Sequence, residues 1–357
     1  MNIGIIHGFV GGGGGTEKAL HSILHTLGKT EHHITLYTVS KPKFKSERIK
    51  IKSLLPFSIS SFGLYQRLME QKLVAKAKDE DILIQTSGGV CIPNHDQKLI
   101  TYAHSDFTNE LNHAATKYNG IWSLYYKPYY HMIKKFIQRI SNTDIIIISD
   151  SEFIRNSIKS KYGKDSTVIY PPVDLGQFAS GCSKYNQVVT VGRFSPEKNH
   201  EFGLKAMAEM KADYFIVGST NTKLNESYYE KLQSIIKKQR LKYKVTLAKN
   251  INRGHLISIV NTSAVYFHCS NETFGISVVE GIAGGCIPIV PDTSANKETV
   301  PIKELRYKEN DPYDAHLKIK KALLGEYDKH LPELQKHIKM FSINNFEKSW
   351  RKYIDAI

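Results

Sequence analysis

The sequence predicts an α/β protein made of two doubly wound, Rossmann-like domains that face each other across a cleft. Short β-type runs alternate with helical patterns throughout the chain, which is typical of parallel sheets with crossover helices. The alternation divides into two similar halves at YPPVDLGQF, residues 170–178, where two adjacent prolines interrupt it. A length of 357 residues suits two domains better than one core. We therefore expect ligands at the carboxyl ends of the strands.

The predicted elements follow in chain order. The strands of the first half are MNIGIIH, HITLYTV, DILIQTS, KLITYAH, DIIIISDS and TVIYPP. Those of the second half are QVVTVGR, YFIVGST, KVTLAKN, AVYFHCS and CIPIVPD. Helical patterns cover 16–28, 61–78, 152–161, 200–210, 226–239, 253–262 and 276–284, and the chain past residue 310 is helical and highly charged. These elements predict an N-terminal domain over 1–172, a C-terminal domain over 173–338, and a final amphipathic helix within 339–357.

The net charge of +15 is spread over both halves and favours anionic partners such as phosphorylated substrates, membrane surfaces or nucleic acid. A solvated, lysine-rich surface accounts for most of these lysines. The chain has no apolar run long enough to span a bilayer, and its first residues predict a strand instead of a signal peptide. The four cysteines lack metal-site spacing, so we expect buried free thiols in a cytoplasmic protein.

Two glutamates flank the start of a predicted helix in SNETFGISVVEGIAGGCIPIV, residues 270–290. Gly275 lets a ligand approach the backbone, and the amides of a helix start favour phosphate. Carboxylates accept hydrogen bonds from hydroxyls, so Glu272 and Glu280 predict a ligand with a sugar-like ring at each end. The structural alternative is that Glu272 caps the helix and Glu280 is solvated.

Two cations follow a predicted strand in VGRFSPEKNH. A guanidinium at Arg193 and an ammonium at Lys198 suit a diphosphate that becomes more negative as it leaves. The alternative is a surface ion pair with Glu197.

A glycine-rich loop, GFVGGGGGTEKAL, lies between the first predicted strand and helix and allows a close approach to phosphate. A dinucleotide site also needs an acidic residue after the second strand, but HITLYTVSKPK has lysines there. A nicotinamide enzyme is therefore disfavoured.

His104 and Asp106, in TYAHSDF, follow a strand and should face the cleft. His104 is suited to bind a substrate hydroxyl or to stabilise charge, and Asp106 is suited to orient it. A structural role for this histidine stays open.

Together these motifs resemble the family 4 glycosyltransferases, which are retaining, metal-independent enzymes of the GT-B fold. The matching residues are GGGGTE, GRFSPEKN, and the E-x7-E element ETFGISVVE followed by GIAGGCIPIV. The resemblance covers nearly the whole chain and is weakest over 40–140. It implies no cofactor, a nucleotide-sugar as co-substrate, and a final helix that crosses back to the first domain.

The resemblance also implies roles for individual residues. Glu272 would contact hydroxyls of the donor sugar, and Glu280 would bind the ribose of the nucleotide. Arg193 and Lys198 would stabilise the leaving diphosphate, and His104 matches the family's active-site histidine. The remaining donor contacts would be Gly14 and Gly15 for the diphosphate, the backbone of Phe274, Gly275 and Ile276 for sugar and phosphate, and Lys249 and Asn250 for the base.

In this fold the first domain selects the acceptor. KPKFKSERIKIK, with Lys41 and Lys43, is strongly basic, and 118–140, with Trp122, mixes aromatic and basic residues. This composition suits an anionic bilayer surface, although the aromatic residues of 118–140 suit a core equally. With Asp106, these residues are the predicted acceptor side. We expect peripheral membrane contact and a glycan or lipid-linked acceptor.

The motifs YAHSDF and RFSPEKNH are similar to mannosyltransferases that extend lipid-linked oligosaccharides, which favours GDP-mannose over a UDP-sugar. The rival interpretations are a GT-B-like nucleotide-sugar epimerase, a sugar-binding relative without activity, and a basic protein that binds nucleic acid or membranes; we expect no nucleic acid. One departure from the family pattern is the acidic pair Asp150 and Glu152 in IISDSEFIRN.

Overall fold

The computed structural model describes residues 1–11, 14–44, 46–58, 66–89, 91–94, 97–108, 121–179, 181–239 and 245–356. Within its helices, the side chains of residues 66, 67, 121–126, 129, 132, 133 and 136 are outside this description. The chain forms two compact units, of which one joins Met1–Pro172 with Asn344–Ile357 and the other is Val173–Ile343. The division therefore falls at the two prolines that interrupt the sequence pattern.

The first unit is built on a parallel sheet with the strand order β3-β2-β1-β4-β5-β6-β7. Its strands are β1 (Asn2–Ile6), β2 (His33–Thr38), β3 (Ile49–Ser53), β4 (Ile82–Gln85), β5 (Lys98–Ala103), β6 (Ile146–Ser149) and β7 (Thr167–Val168). Its helices are α1 (Gly15–Leu27), α2 (Gln66–Lys76), α3 (Ile121–Ile140), α4 (Glu152–Tyr162) and α12 (Ile343–Asp355).

Helix α12 contributes to the core of the first unit. Phe346, Trp350 and Ile354 recur every four residues and are buried in one cluster with Leu20 and Ile23 of α1. The indole of Trp350 meets Tyr102 of β5 edge-on, with ring centroids 5.6 Å apart. Burial of such large aromatic side chains stabilises the attachment of α12 to this sheet.

The second unit is built on a parallel sheet with the strand order β10-β9-β8-β11-β12-β13. Its strands are β8 (Tyr185–Val191), β9 (Asp213–Gly218), β10 (Val245–Lys249), β11 (Ser263–Phe267), β12 (Ile287–Pro291) and β13 (Arg306–Tyr307). Its helices are α5 (His200–Ala206), α6 (Lys223–Lys238), α7 (Arg253–Thr262), α8 (Ile276–Ala283), α9 (Asn296–Thr299), α10 (Pro312–Leu323) and α11 (Leu331–His337). Short 3-10 turns include Leu175–Gln177 and Pro196–Lys198.

The strand order reverses at one point in each sheet. In the first unit the reversal lies between β1 and β4, and in the second it lies between β8 and β11. Ligands of doubly wound sheets bind outside the carboxyl ends of the strands at this switch point. The loops after these four strands are therefore where side chains must be placed to form a site.

Two strands escaped prediction. β3 lies within the basic stretch 41–52 and pairs with β2 at the edge of the first sheet. Its sequence IKIKS alternates apolar and charged residues, which is the pattern of an edge strand with one solvated face. β13 is a two-residue strand, too short to leave a sequence pattern.

Candidate functional site

Glu272 is the centre of a hydrogen-bonded cluster at the switch point of the second sheet. It follows β11, and its Oε1 accepts hydrogen bonds from Lys198 Nζ at 2.5 Å, Ser270 Oγ at 3.0 Å and His268 Nε2 at 3.1 Å. Lys198 belongs to the 3-10 turn after β8, so the contact joins the two strands that flank the reversal. The side chains of Lys198 and Glu272 keep 20% and 17% of their surface exposed. The pair is thus held in place while still reachable by a ligand.

The environment of Glu272 keeps it ionised. Burial by itself would raise the pKa of this carboxyl, but the hydrogen bond and charge of His268, with the charge of Lys198, outweigh burial and lower the pKa to about 2. A carboxylate with so low a pKa accepts hydrogen bonds and does not supply a proton at neutral pH. Glu272 is therefore equipped to bind hydroxyls and not to act as a general acid.

Arg193 forms the surface ion pair with Glu197 that the sequence offered as the alternative to a diphosphate site. Its Nη2 lies 3.3 Å from Glu197 Oε1, and 62% of its side chain is exposed. The backbone beneath it is fixed by His200, whose buried ring contacts the Arg193 carbonyl through Nε2 at 2.9 Å. Burial lowers the pKa of His200 to about 4, so the ring is neutral and donates this bond. Sequence inspection passed over His200, although it stands inside the quoted motif.

The start of α8 has the backbone geometry expected of a close-approach site. Gly275 precedes the helix with φ +94°, in the left-handed region that favours glycine. Phe274, the residue before Gly275, is buried. It packs edge-on against Phe341 with ring centroids 5.0 Å apart, and this contact fixes its position. Ile276 is the first residue of α8, where backbone amides lack partners inside the helix.

Glu280 has a partner that the sequence did not indicate. The carboxylate is only 6% exposed, and its Oε1 accepts a hydrogen bond from Arg253 Nη2 at 2.7 Å. Arg253 is the first residue of α7, whose N-cap is Asn252. The two residues stand 27 positions apart and on different helices, so no local spacing could reveal the pair. Glu280 is therefore a buried, ion-paired carboxylate, and the solvated alternative is wrong.

The predicted base-binding residues lie after β10. Lys249 pairs with Glu226 Oε1 at 2.5 Å and lies over the Tyr229 ring, 4.7 Å from its centroid. Asn250 has a positive φ of 55° and exchanges two hydrogen bonds of 3.0 Å with Thr220, after β9. Asn250 thus ties two adjacent strand ends together, beside the exposed cation of Lys249.

His104 lies at the carboxyl edge of the first sheet with two acceptors near its ring. Its Nε2 lies 3.2 Å from the Thr86 carbonyl, and its Nδ1 lies 3.7 Å from Asp150 Oδ2. The ring meets Tyr102 edge-on at 4.5 Å, and 14% of the side chain is exposed. Asp150, which the sequence left as an unexplained departure, therefore lies beside this histidine. Ala103 pairs with Ser149 in the β5–β6 register, so their successors are adjacent.

Asp106 does not orient His104, contrary to the sequence-based expectation. Its carboxylate accepts hydrogen bonds from Lys161, from Ser157 Oγ at 3.0 Å and from Thr108 Oγ1 at 2.7 Å. Burial would raise its pKa, but these hydrogen bonds lower it. Asp106 does not contact His104 because its side chain points to α4, which carries Ser157 and Lys161. These contacts fix the residues that follow β5.

A buried histidine missed by the sequence analysis completes this edge of the first sheet. His7 follows β1, and its Nδ1 lies 2.9 Å from Thr86 Oγ1. Burial lowers the pKa of His7 to about 3, with a smaller contribution from the charge of His104. A neutral His7 therefore supports the Thr86 residue whose carbonyl contacts His104.

The remaining predicted residues of the first unit are placed as follows. Gly14 is the N-cap of α1, Gly15 is its first residue, and Glu17 reaches back to accept the Gly11 amide at 2.7 Å. Gly12 and Gly13 lie outside the described residues. Lys41 and Lys43 are exposed before β3, and the side chain of Trp122, on α3, is outside the description.

The chain contains an Asp-x-Asp spacing at Asp79–Glu80–Asp81, so the expectation that it has no such metal motif is wrong. This spacing precedes β4, at the amino edge of the first sheet. Asp81 accepts the Asn2 amide at 2.8 Å, and Glu80 accepts the Tyr37 hydroxyl at 2.6 Å. These acids therefore have structural partners, at the edge of the sheet opposite to His104.

Within the described parts of the chain, no helix combines the length and apolar character needed to cross a bilayer.

Two family models match consecutive parts of the chain and together cover residues 13–340. The model described as "Glycosyltransferase Family 4" matches residues 13–177, and the one described as "Glycosyl transferases group 1" matches residues 177–340. Solved structures with the same fold include sucrose-phosphate synthase from Thermosynechococcus elongatus, with a TM-score of 0.77 and 16% identity over 100% of both chains. HepE from Anabaena, in complex with UDP and glucose, has a TM-score of 0.74 and 13% identity, also over 100% of both chains. The fold is GT-B.

Several curated relatives share the name "GDP-Man:Man(3)GlcNAc(2)-PP-Dol alpha-1,2-mannosyltransferase". The protein from Dictyostelium discoideum is 25% identical over 288 residues, covering 70% of this chain and 54% of the relative. That from Kluyveromyces lactis is 29% identical over 218 residues, covering 54% of this chain and 38% of the relative. The chain thus spans about half the length, or less, of the relatives it matches. It belongs to the family 4 glycosyltransferases.

Proposed function

We propose that this protein transfers a mannosyl residue from GDP-mannose to a lipid-linked oligosaccharide, with retention of configuration and without a metal ion. The observation that carries the proposal is the cluster of Lys198, His268 and Ser270 around Glu272 at the switch point of the second sheet. The choice of donor and acceptor draws on the curated mannosyltransferases, whose names specify GDP-mannose and a dolichol-diphosphate oligosaccharide.

The cluster supports the binding of a sugar beside a diphosphate. An ionised Glu272 accepts hydrogen bonds from sugar hydroxyls, and the ammonium of Lys198 supplies positive charge for the diphosphate that leaves. The start of α8 adds backbone amides and a partial positive charge suited to phosphate. Arg193, exposed at 62%, would exchange Glu197 for phosphate oxygens without the cost of leaving a buried site.

The contacts of Asp106 also bear on the reaction path. Its carboxylate accepts hydrogen bonds from α4 and from Thr108, so it is not available as a nucleophile toward the anomeric carbon. Retention would then arise from displacement on one face of the sugar, in which the bond to the leaving phosphate breaks as the acceptor oxygen bonds to the same carbon. The departing phosphate oxygen takes the acceptor's proton. Glu272 is ionised and is held by the protein through Oε1. It would accept hydrogen bonds from sugar hydroxyls throughout the reaction.

Peripheral contact with an anionic membrane would bring the protein to a lipid-linked acceptor. The described side chains of α3 include exposed Lys127, Lys134 and Lys135, and Lys50 is exposed on the edge strand β3. Lysine ammonium groups near a surface of anionic lipids each add about 1 kcal/mol of attraction. No nucleic acid is part of this proposal.

The function is tested by a transfer assay with matched donors. The purified protein is incubated with GDP-mannose, UDP-glucose or UDP-N-acetylglucosamine and a phytanyl-diphosphate-linked Man(3)GlcNAc(2) acceptor in vesicles with or without phosphatidylserine. We expect the acceptor to gain one hexose, by mass spectrometry, from GDP-mannose alone. The product should be an α-linkage cleaved by α-mannosidase, the rate should be unchanged by EDTA, and anionic vesicles should raise it.

Glu272→Gln should abolish this transfer, while Glu230→Gln, an exposed acid on α6, should not change it. Hexose transfer from a UDP-sugar would overturn the donor assignment. Release of nucleotide with an epimerised sugar, in the absence of acceptor, would point to the epimerase. If none of these nucleotides is bound or consumed, the proposed function is wrong.

Replacing Asp150 by asparagine should lower the transfer rate about 100-fold, at the lower end of the range that a positioned acid–base group contributes. The substitution keeps the shape of a buried side chain but removes the negative charge 3.7 Å from His104 Nδ1. The rate is measured at saturating donor, with donor affinity measured separately. Glu152→Gln, a surface acid two residues away, is the control and should retain full activity. Equal rates for both variants would show that Asp150 does not act through His104.

A further inference from the structure

The pair formed by Arg253 and Glu280 is more elaborate than a buried carboxylate requires. Besides donating to Glu280, Arg253 donates through Nε to Gln177 Oε1 at 3.0 Å. Its guanidinium also lies over the Phe178 ring, 5.2 Å from the centroid. Gln177 in turn donates to Asp174 Oδ2 at 2.6 Å. The guanidinium is therefore held on one face and two edges.

This arrangement fixes the direction of the Glu280 carboxylate. A buried carboxylate without a cation is costly, so removing the guanidinium would let Glu280 turn away from its present direction. The arginine fork is planar and rigid, and it sets an orientation that a lysine would not. Arg253 takes one of the acceptor positions at Oε1, whereas a carboxylate offers about four in all. The hydrogen bond from Arg253 therefore also sets the direction of the other acceptor positions of this carboxylate.

Arg253 is also placed at a boundary between protein and solvent. Its side chain is 38% exposed, whereas Glu280 is 6% exposed. A ligand that reaches Glu280 therefore approaches a carboxylate whose charge is already balanced and whose orientation does not change on binding. Such preorganisation favours a ligand with hydroxyl donors and disfavours a ligand that lacks them.

We propose that Arg253 is the positioning residue that makes the nucleotide site select ribonucleotides: it holds Glu280 so that the carboxylate accepts the ribose hydroxyls. The inference rests on the proposed function, in which Glu280 faces the ribose. A nucleotide without these hydroxyls would lose the hydrogen bonds that they donate to this buried carboxylate. Hydrogen bonds to charged groups of this kind correspond to an affinity difference of about 10- to 100-fold.

The test compares GDP with 2′,3′-dideoxy-GDP by isothermal titration calorimetry on wild type, Arg253→Met and Arg253→Lys. Wild type should prefer GDP about 10- to 100-fold. Arg253→Met keeps an apolar stem over Phe178 but lacks the fork, so it should lose most of its GDP affinity and bind the dideoxy nucleotide as wild type does. Arg253→Lys should be intermediate. Arg155→Met, which removes a surface arginine of the first unit, should match wild type for both ligands.

Equal weakening of both nucleotides by Arg253→Met would mean that the residue supports the fold alone, and this overturns the proposal. Unchanged selectivity in Arg253→Met overturns it as well. If Arg253→Met does not fold, Arg253→Lys decides by the same ratio, with Gln177→Ala as a second variant that loosens the guanidinium from an exposed position. If wild type does not bind GDP, the proposed function fails and this inference fails with it. If wild type binds GDP and dideoxy-GDP equally, only this inference fails.

Discussion

Replacing Lys198 by alanine should lower the rate of mannosyl transfer about 10²- to 10³-fold, the usual effect of removing one group that stabilises developing charge. Its Nζ lies 2.5 Å from Glu272 Oε1, so the substitution removes both the charge for the diphosphate and a partner of the carboxylate that binds the sugar. Most of the loss should therefore be in kcat, with a smaller change in the KM for the donor.

The measurement is a steady-state assay with GDP-mannose, together with calorimetric binding of GDP. Lys211→Ala, which removes an exposed lysine of the same unit, is the matched control and should keep full activity. Lys198→Arg should recover only part of the rate, since the fork does not reproduce a point charge at the same position. A Lys198→Ala enzyme with wild-type kcat would remove Lys198 from the reaction.

Replacing Gly218 by alanine should destabilise the second unit by about 3 kcal/mol or more, at or above the upper end of the usual overpacking range. A Cβ at this position would lie 2.0 Å from the Gly192 carbonyl oxygen and 3.1 Å from its carbon. Both are backbone atoms, and the β8–β9 pairing holds them, because the Gly192 amide donates to the Val217 carbonyl at 2.9 Å. This clash is relieved only if the carboxyl ends of β8 and β9 move apart.

Differential scanning calorimetry should show the melting temperature of the second unit lowered by roughly 6–12 °C, as expected for a unit of this size. Gly181→Ala, where an added Cβ meets nothing within 4 Å, is the matched control and should melt as wild type does. Any Gly218→Ala protein that folds should also bind nucleotide weakly, because the segment that moves leads to Arg193 and Lys198. A wild-type melting temperature for this variant would mean that the strand ends adjust without cost.

The sequence predicted the strand ends that carry the site because each is a buried strand followed by polar residues. Glu272, Lys198 and His104 all lie after strands that were predicted from their apolar runs. Partners supplied by other elements could not be predicted in the same way. Arg253 reaches Glu280 from another helix, and this contact depends on helix packing, which a single sequence does not encode locally. His268 is only four residues before Glu272, but at the end of a strand it resembles a core residue.

The choice between two acids shows a different limit. Asp106 and Asp150 both follow strands of the first sheet, and only the pairing of β5 with β6 decides which one lies next to His104. The two acids cannot be told apart until β6 is placed beside β5 in the sheet. β3 was not predicted because its lysines by composition indicate a charged surface, and only their alternation with isoleucine indicates a strand.

Helix α12 has a consequence for how the chain is made. The core of the first unit contains Trp350 and Phe346, which the ribosome adds after the whole of Val173–Ile343. The second unit is a continuous segment and can complete its core during synthesis, whereas the first must wait with one face of its sheet open. The apolar residues that α12 later covers, Leu20 and Ile23 among them, are exposed during that interval. The order of biogenesis is therefore the reverse of the order of the sequence: the second unit matures first, and the first unit is sealed last.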